Sequence, residues 1–143
     1  MHNSTSITSR KSLTNISWLT TAFKALSDPT RLRILRLLAA NKAEMCVCEF
    51  VDVHQVRQYT VSRALGLLEQ AGLVLGQKEG RWVYYSLANQ DDTVIASLYT
   101  LVTSISEADE VFLLDQERFQ KRMALREDGR CIVGIQTRDL IER

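Results

Sequence analysis

Apolar residues recur at helical spacing through most of the chain and switch to strict alternation only once. Trp18, Leu19, Ala22, Phe23 and Leu26 fall on one face of a helix over Ile16 to Leu26. Leu32, Leu35 and Leu38, widened by Ile34, predict a second helix from Pro29 to about Ala40, with Arg31, Arg33 and Arg36 largely off that stripe. Ser27 and Asp28 offer capping oxygens before it, and Pro29 suits its first turn because a missing N–H is no loss there. A short helix fits Met45 to about Val53. A longer one fits Gln58 to Ala71, with Val61, Leu65 and Leu68 on one face and Gly72 as its stop. Leu73 to Lys78 and Arg81 to Leu87 are β-rich and predict a hairpin joined at Glu79-Gly80. In the second run Val83, Tyr85 and Leu87 alternate with Trp82, Tyr84 and Ser86. Behind the capping residues Asp91 and Asp92, an apolar helix is predicted over about Thr93 to Ser106 and a charged one over about Glu110 to Arg126. Asp128-Gly129 then turns the chain into a short apolar run, Cys131 to Ile135.

Four helices, a hairpin and two helices, in that order, predict a mainly α fold with a β-hairpin wing: a winged helix-turn-helix. In that arrangement the second helix of the pair enters the major groove and the hairpin lies along the flanking backbone. With 143 residues, 45% of them hydrophobic, the chain holds one domain with extensions. The divisions are a polar tail over 1–14, a DNA-binding and dimerisation domain over 15–106, and a helical extension over 107–143. No stretch approaches the roughly 18 apolar residues of a membrane span, and the Ser/Thr-rich start has no apolar h-region. A cytoplasmic protein without a membrane partner is expected, in which the Asn-x-Ser/Thr matches at Asn3 and Asn15 carry no meaning.

A net charge of +1 hides an asymmetry. Residues 1–90 carry eleven Lys/Arg and six Asp/Glu, net +5, whereas residues 91–128 carry four and nine, net −5. The basic half is the one containing the predicted reading helix. Gln58, Tyr59, Thr60, Ser62 and Arg63 crowd its first turns, with side chains able to donate and accept at base edges and phosphates. Lys78 and Arg81 at the hairpin tip would give the wing its phosphate contacts. A polar helix face and a charged hairpin tip are ordinary on any soluble protein, so the order of the elements carries this reading. No Ser/His/acid set, Gly-rich phosphate loop or Cys-x-x-Cys is present, which argues against an enzyme.

Five segments together resemble one family: Leu26-Ser27-Asp28-Pro29-Thr30-Arg31-Leu32-Arg33-Ile34-Leu35, Met45-Cys46-Val47-Cys48-Glu49-Phe50, Val61-Ser62-Arg63-Ala64-Leu65, Gln70-Ala71-Gly72-Leu73-Val74 and Gly80-Arg81-Trp82-Val83-Tyr84-Tyr85-Ser86-Leu87. Over about residues 16–106 the chain resembles the ArsR/SmtB metal-responsive repressors. The resemblance implies a homodimer, packed through helices at both ends of the chain, on a palindromic double-stranded operator from which an inducer displaces it. No cofactor is needed for DNA binding. Two positions depart from the pattern: His54, where leucine is usual, and Ala64, where histidine often follows Ser-Arg. His54 is expected at a hinge or a phosphate rather than on a metal.

Cys46-Val47-Cys48 looks like the Cys-Val-Cys element of the arsenic-responsive branch, which implies As(III) or Sb(III) as inducer. Such soft ions favour three thiolates in a pyramid. Residues i and i+2 of a helix lie about 200° apart, so chelation by both requires the helix start to distort, giving a route to DNA release. Relatives often carry a further cysteine near position 51, where this chain has Val51. The third ligand is then Cys131, from the same chain or across the dimer, or else a solvent or exogenous thiol. Zinc is disfavoured, since the only histidines are His2 and His54; cadmium and lead remain open. Two rivals stay alongside: a thiol redox sensor joining Cys46 or Cys48 to Cys131, and a DNA-binding module whose cysteines are merely buried.

Overall fold

A computed structural model of the protein describes residues 15–105 and 109–138. The predicted tail 1–14 and Ser106 lie outside them, as do residues 107, 108 and 139–143 of the extension. Helix α1 spans Ile16–Leu26, started by Asn15, whose side chain accepts the Trp18 N–H. Helix α2 spans Pro29–Asn41; Asp28, rather than Ser27, caps it by accepting the Arg31 N–H. Strand β1 is Met45–Cys46, α3 is Val47–His54 and α4 is Gln58–Gln70. Strands β2 (Val74–Glu79) and β3 (Trp82–Leu87) form the wing, followed by α5 (Thr93–Thr103) and α6 (Glu110–Met123). Among the described residues no helix is long and apolar enough to cross a membrane.

Two details correct the sequence reading. Met45 and Cys46 do not open a helix: they pair antiparallel with Tyr85 and Tyr84, giving a three-stranded sheet in the order β1-β3-β2. The outer edge of β3 has backbone groups that need partners, and two residues suffice to cover part of it. The hairpin loop is Gly80-Arg81, one residue later than expected, since Glu79 pairs with Trp82. Gly80 takes a positive φ of 62°, as the first loop residue of a type II′ hairpin does.

Both faces of β3 are used. Tyr85 and Leu87 pack on the main core, while Tyr84 faces the cysteines. That core joins Ile34, Leu35 and Leu38 of α2, Phe50 and Val53 of α3, Leu65 and Leu68 of α4, and Ile95 of α5. The Trp18 indole reaches across it to donate to the Ala71 carbonyl at 2.6 Å. Helix α4 is thereby fixed on one side while its other side stays free.

Helix α6 does not follow a purely apolar stripe. Its buried positions are Phe112, Asp115, Phe119 and Arg122, so charged groups enter the interior with the aromatics. Asp115 receives two hydrogen bonds from Arg33 of α2, at 2.7 and 2.9 Å, and stands 3.2 Å from His54 Nδ1. His54 is buried and stacked on Phe50 at the last position of α3, before the turn into α4, so of the two places expected for it the phosphate is excluded and the hinge remains. Burial holds its pKa below the ordinary value against the pull of Asp115. After α6 the chain reverses at Asp128 and Gly129, both with positive φ, and Glu127 and Arg130 exchange backbone hydrogen bonds.

Candidate functional site

Beside the junction of β1 and α3 the structure brings all three cysteines together. Cys46 ends the strand and caps the helix in an extended conformation, φ −89° and ψ 164°. Cys48 lies in the first turn of α3, and Cys131 follows the Gly129 turn. The three buried sulfurs lie within 4.8 Å of one another, with Cys48 and Cys131 at 3.7 Å. Thiolates bound to one soft ion at about 2.3 Å stand roughly 3.5–3.8 Å apart, so the set fits such an ion with sulfur shifts of about 1 Å or less. The helix distortion expected from the i, i+2 spacing is not required. Cys46 is extended at the N-cap and not helical. Cys131 of the same chain completes this group of sulfurs.

Charged groups around the sulfurs were not legible in the sequence. Glu49 Oε1 accepts the Cys46 backbone N–H at 3.0 Å and lies 3.3 Å from its sulfur, which closes a capping box. Arg126 grips Glu49 with two hydrogen bonds of 2.7 Å. Arg122, fully buried, donates to Asp52 at 2.6 Å and to the Val133 and Gly134 carbonyls at 3.0 Å each; its Nη2 lies 3.8 Å from both Cys48 and Cys131 sulfurs. Asp52 in turn accepts the Gln136 N–H and the Thr137 hydroxyl. The signal available in the sequence was Arg122, which stands at helical spacing with Phe112 and Phe119 on the buried side of α6.

These neighbours split the thiols. Cys48 is lowered to about 7, first by the hydrogen bond from Cys46 and then by Cys131 and Arg122, against the effect of burial. Cys46 is raised, by the same hydrogen bond to Cys48, by burial and by the Glu49 carboxylate. Burial raises Cys131. Of the three thiols, Cys48 is the one shifted toward its thiolate form.

The wing is tied to this cluster. Cys46 pairs in register with Tyr84, and the Tyr84 hydroxyl accepts the Cys131 N–H at 3.0 Å. Arg130 and Arg126 lie over the Tyr84 ring, and Arg130 also pairs with Glu44 and Glu79.

On α4, Gln58, Tyr59, Ser62 and Arg63 are exposed and Thr60 is half-buried; Tyr59 is 73% exposed although it is aromatic. Arg57, exposed at the N-cap, extends the same face and was missed in the sequence. Ala64 is buried, so its departure from the family pattern alters the core rather than this face. Lys78 and Arg81 are exposed at the wing tip, where Arg81 stacks on Trp82 at 4.7 Å.

Residues 28–75 match the family model for bacterial regulatory proteins of the arsR family. An uncharacterized HTH-type transcriptional regulator of Methanocaldococcus jannaschii is 49% identical over 72 residues, which cover 50% of this chain and 78% of that protein. The arsenical resistance operon repressor of Escherichia coli is 44% identical over 66 residues, 46% of this chain. The chain spans 56% of that repressor's length. Among solved structures, the homodimeric winged helix-turn-helix DNA-binding domain of a possible ArsR-family regulator from Mycobacterium bovis aligns with a TM-score of 0.55 at 30% identity, over 66% of this chain and 83% of that one. The fold is that of DNA-binding regulators and not of an enzyme. The chain belongs to the ArsR family of transcriptional regulators.

Proposed function

We propose that this regulator is a cytoplasmic homodimeric repressor of double-stranded operator DNA, and that arsenite or antimonite, held by Cys46, Cys48 and Cys131, releases it. The observation that carries the reading is the buried meeting of three sulfurs from positions 46, 48 and 131 in one chain. Arsenous acid and three thiols exchange three As–O for three As–S bonds and yield three waters, with no electron transferred. Gln58, Tyr59, Thr60, Ser62 and Arg63 of α4 contact bases and phosphates, and Lys78 and Arg81 of the wing contact flanking phosphates. Exposed Ile16 and Phe23 on α1, with Val94 and Leu101 on α5, support a dimer face built from helices at both ends of the domain.

Coupling follows from what the cysteines are attached to. Drawing the three sulfurs together shifts the β1–α3 junction against the segment after Gly129. Helix α3 braces α4, and β1 pairs with β3 of the wing, so both DNA-contacting elements feel the shift. The test is fluorescence anisotropy of the protein on DNA from its own upstream region, at fixed salt, titrated with arsenite and antimonite. Release that is lost in Cys46→Ser, Cys48→Ser and Cys131→Ser supports the reading; release unchanged in all three overturns it.

One observation favours a second reading. Cys48 and Cys131 lie 3.7 Å apart, with Cys48 lowered to about 7. A peroxide would take two electrons and two protons from this pair, leaving a disulfide and water. Release by peroxide alone, reversed by a dithiol, distinguishes this switch from ion sensing.

A further inference from the structure

The charges enclosing the sulfurs cancel. Glu49 and Asp52 supply two negative charges; Arg122 and Arg126 supply two positive ones. The side chains of Glu49, Asp52 and Arg122 are 0% exposed and that of Arg126 is 12% exposed. Each is paired within the set: Arg122 with Asp52 at 2.6 Å and with Glu49 at 3.9 Å, Arg126 with Glu49 at 2.7 Å. Farther out, half-buried Arg130 pairs with both Glu44 and Glu79, and water screens these three. Tyr84 adds a neutral hydroxyl.

Resting on the ion-sensing reading above, we infer that Glu49 and Asp52 are specificity determinants that make the site accept trivalent soft ions and reject divalent ones. Softness alone does not separate arsenite from cadmium, because thiolates bind both. Charge does. Three thiolates on a trivalent centre sum to zero, so the bound cluster remains as neutral as the shell around it. On a divalent ion three thiolates leave one negative charge, buried beside two carboxylates; Arg122, whose Nη2 lies 3.8 Å from the Cys48 and Cys131 sulfurs, is already shared between Asp52 and Glu49 and offsets that charge only in part. An uncompensated buried charge is strongly unfavourable. Keeping one thiol protonated restores neutrality but surrenders a ligand, so a divalent ion binds weakly by either route. The count holds whatever fraction of Cys48 is ionised beforehand, since it concerns the bound state.

The experiment compares arsenite with Cd2+ on the full chain under a non-thiol reductant. Binding is followed by the fluorescence of Trp82, which packs against the cysteine cluster, and by thiolate-to-metal absorption in the ultraviolet. A flexible peptide with three cysteines, in the same buffer, supplies the preference of bare thiolates. The wild-type protein is expected to favour arsenite over Cd2+ by about tenfold or more beyond the peptide. Glu49→Gln and Asp52→Asn, each nearly isosteric and each leaving one arginine unmatched, are expected to move the ratio back toward Cd2+ by about tenfold. Circular dichroism identifies the variants that fold. A wild-type ratio equal to the peptide's overturns the inference by itself, even if neither variant folds; so does an unchanged ratio in a folded variant. Failure of the wild-type protein to bind arsenite at all refutes the ion-sensing reading instead.

Discussion

Replacing Arg122 with methionine removes a side chain that, with Asp52, holds α3, α6 and the segment after Gly129 together. Its guanidinium makes a 2.6 Å bond to Asp52 and 3.0 Å bonds to the carbonyls of Val133 and Gly134, all away from water. Breaking a buried pair from one side typically costs about 3–5 kcal/mol, because the abandoned charge has no solvent. Here Asp52 keeps the Gln136 N–H and the Thr137 hydroxyl, and Glu49 keeps both bonds from Arg126, which places the loss near the lower end. We expect Arg122→Met to cost about 3 kcal/mol in urea unfolding and roughly 10 °C in Tm for a chain of this size. The double variant Arg122→Met with Asp52→Asn should recover part of this, since the stranded carboxylate is then neutral. Protein concentration must be held fixed, because a dimer's stability depends on it. A cost of less than about 1 kcal/mol, or a double variant no better than the single, refutes the view that Arg122 acts as an ionic clamp.

The remaining expectations are smaller. His54 is buried and its pKa is depressed below 6.5, so the unfolded chain binds protons first as pH falls; stability contributed by the neutral ring is full above that value and declines below it, and His54→Leu should flatten stability measured by urea titration between about pH 7 and pH 5. Gly66 is an exposed position inside α4 where an added Cβ meets nothing within 4 Å, so Gly66→Ala should stabilise by about 1 kcal/mol in thermal unfolding, and a loss of stability would show that the helix is not as regular as described. On operator DNA, Arg63→Ala should cost about 1–3 kcal/mol and relax preference at a base, whereas Lys78→Ala should weaken binding to all sequences alike and lower the slope of log affinity against log salt by about one. Equal effects on specific and random DNA for Arg63→Ala would remove it from base readout.

What the sequence revealed, and what it concealed, divides by the range of the interactions. Helices α1, α2, α4 and α5 were legible because each carries its own stripe of apolar residues, α2 and α5 with a capping aspartate as well, and the wing because β3 alternates over six residues. Strand β1 was hidden because two residues have no period; Met45 and Cys46 are extended only because β3, some 40 positions later, offers an edge. The same dependence on distant partners explains the site. Cys46 and Cys48 stood out as a motif, but whether they could face one ion turned on the backbone at Cys46, which that edge pairing determines. Cys131 was a candidate with no stated place until Arg122 and Asp52, separated by 70 residues, fastened its segment over α3. The buried charge set follows the same logic: Glu49, Asp52, Arg122 and Arg126 read singly as solvated polar positions of helices. Their meaning lies in a sum that exists only after α6 has packed on α3, and it is on that sum, rather than on the cysteine spacing, that the inferred preference for a trivalent over a divalent ligand rests.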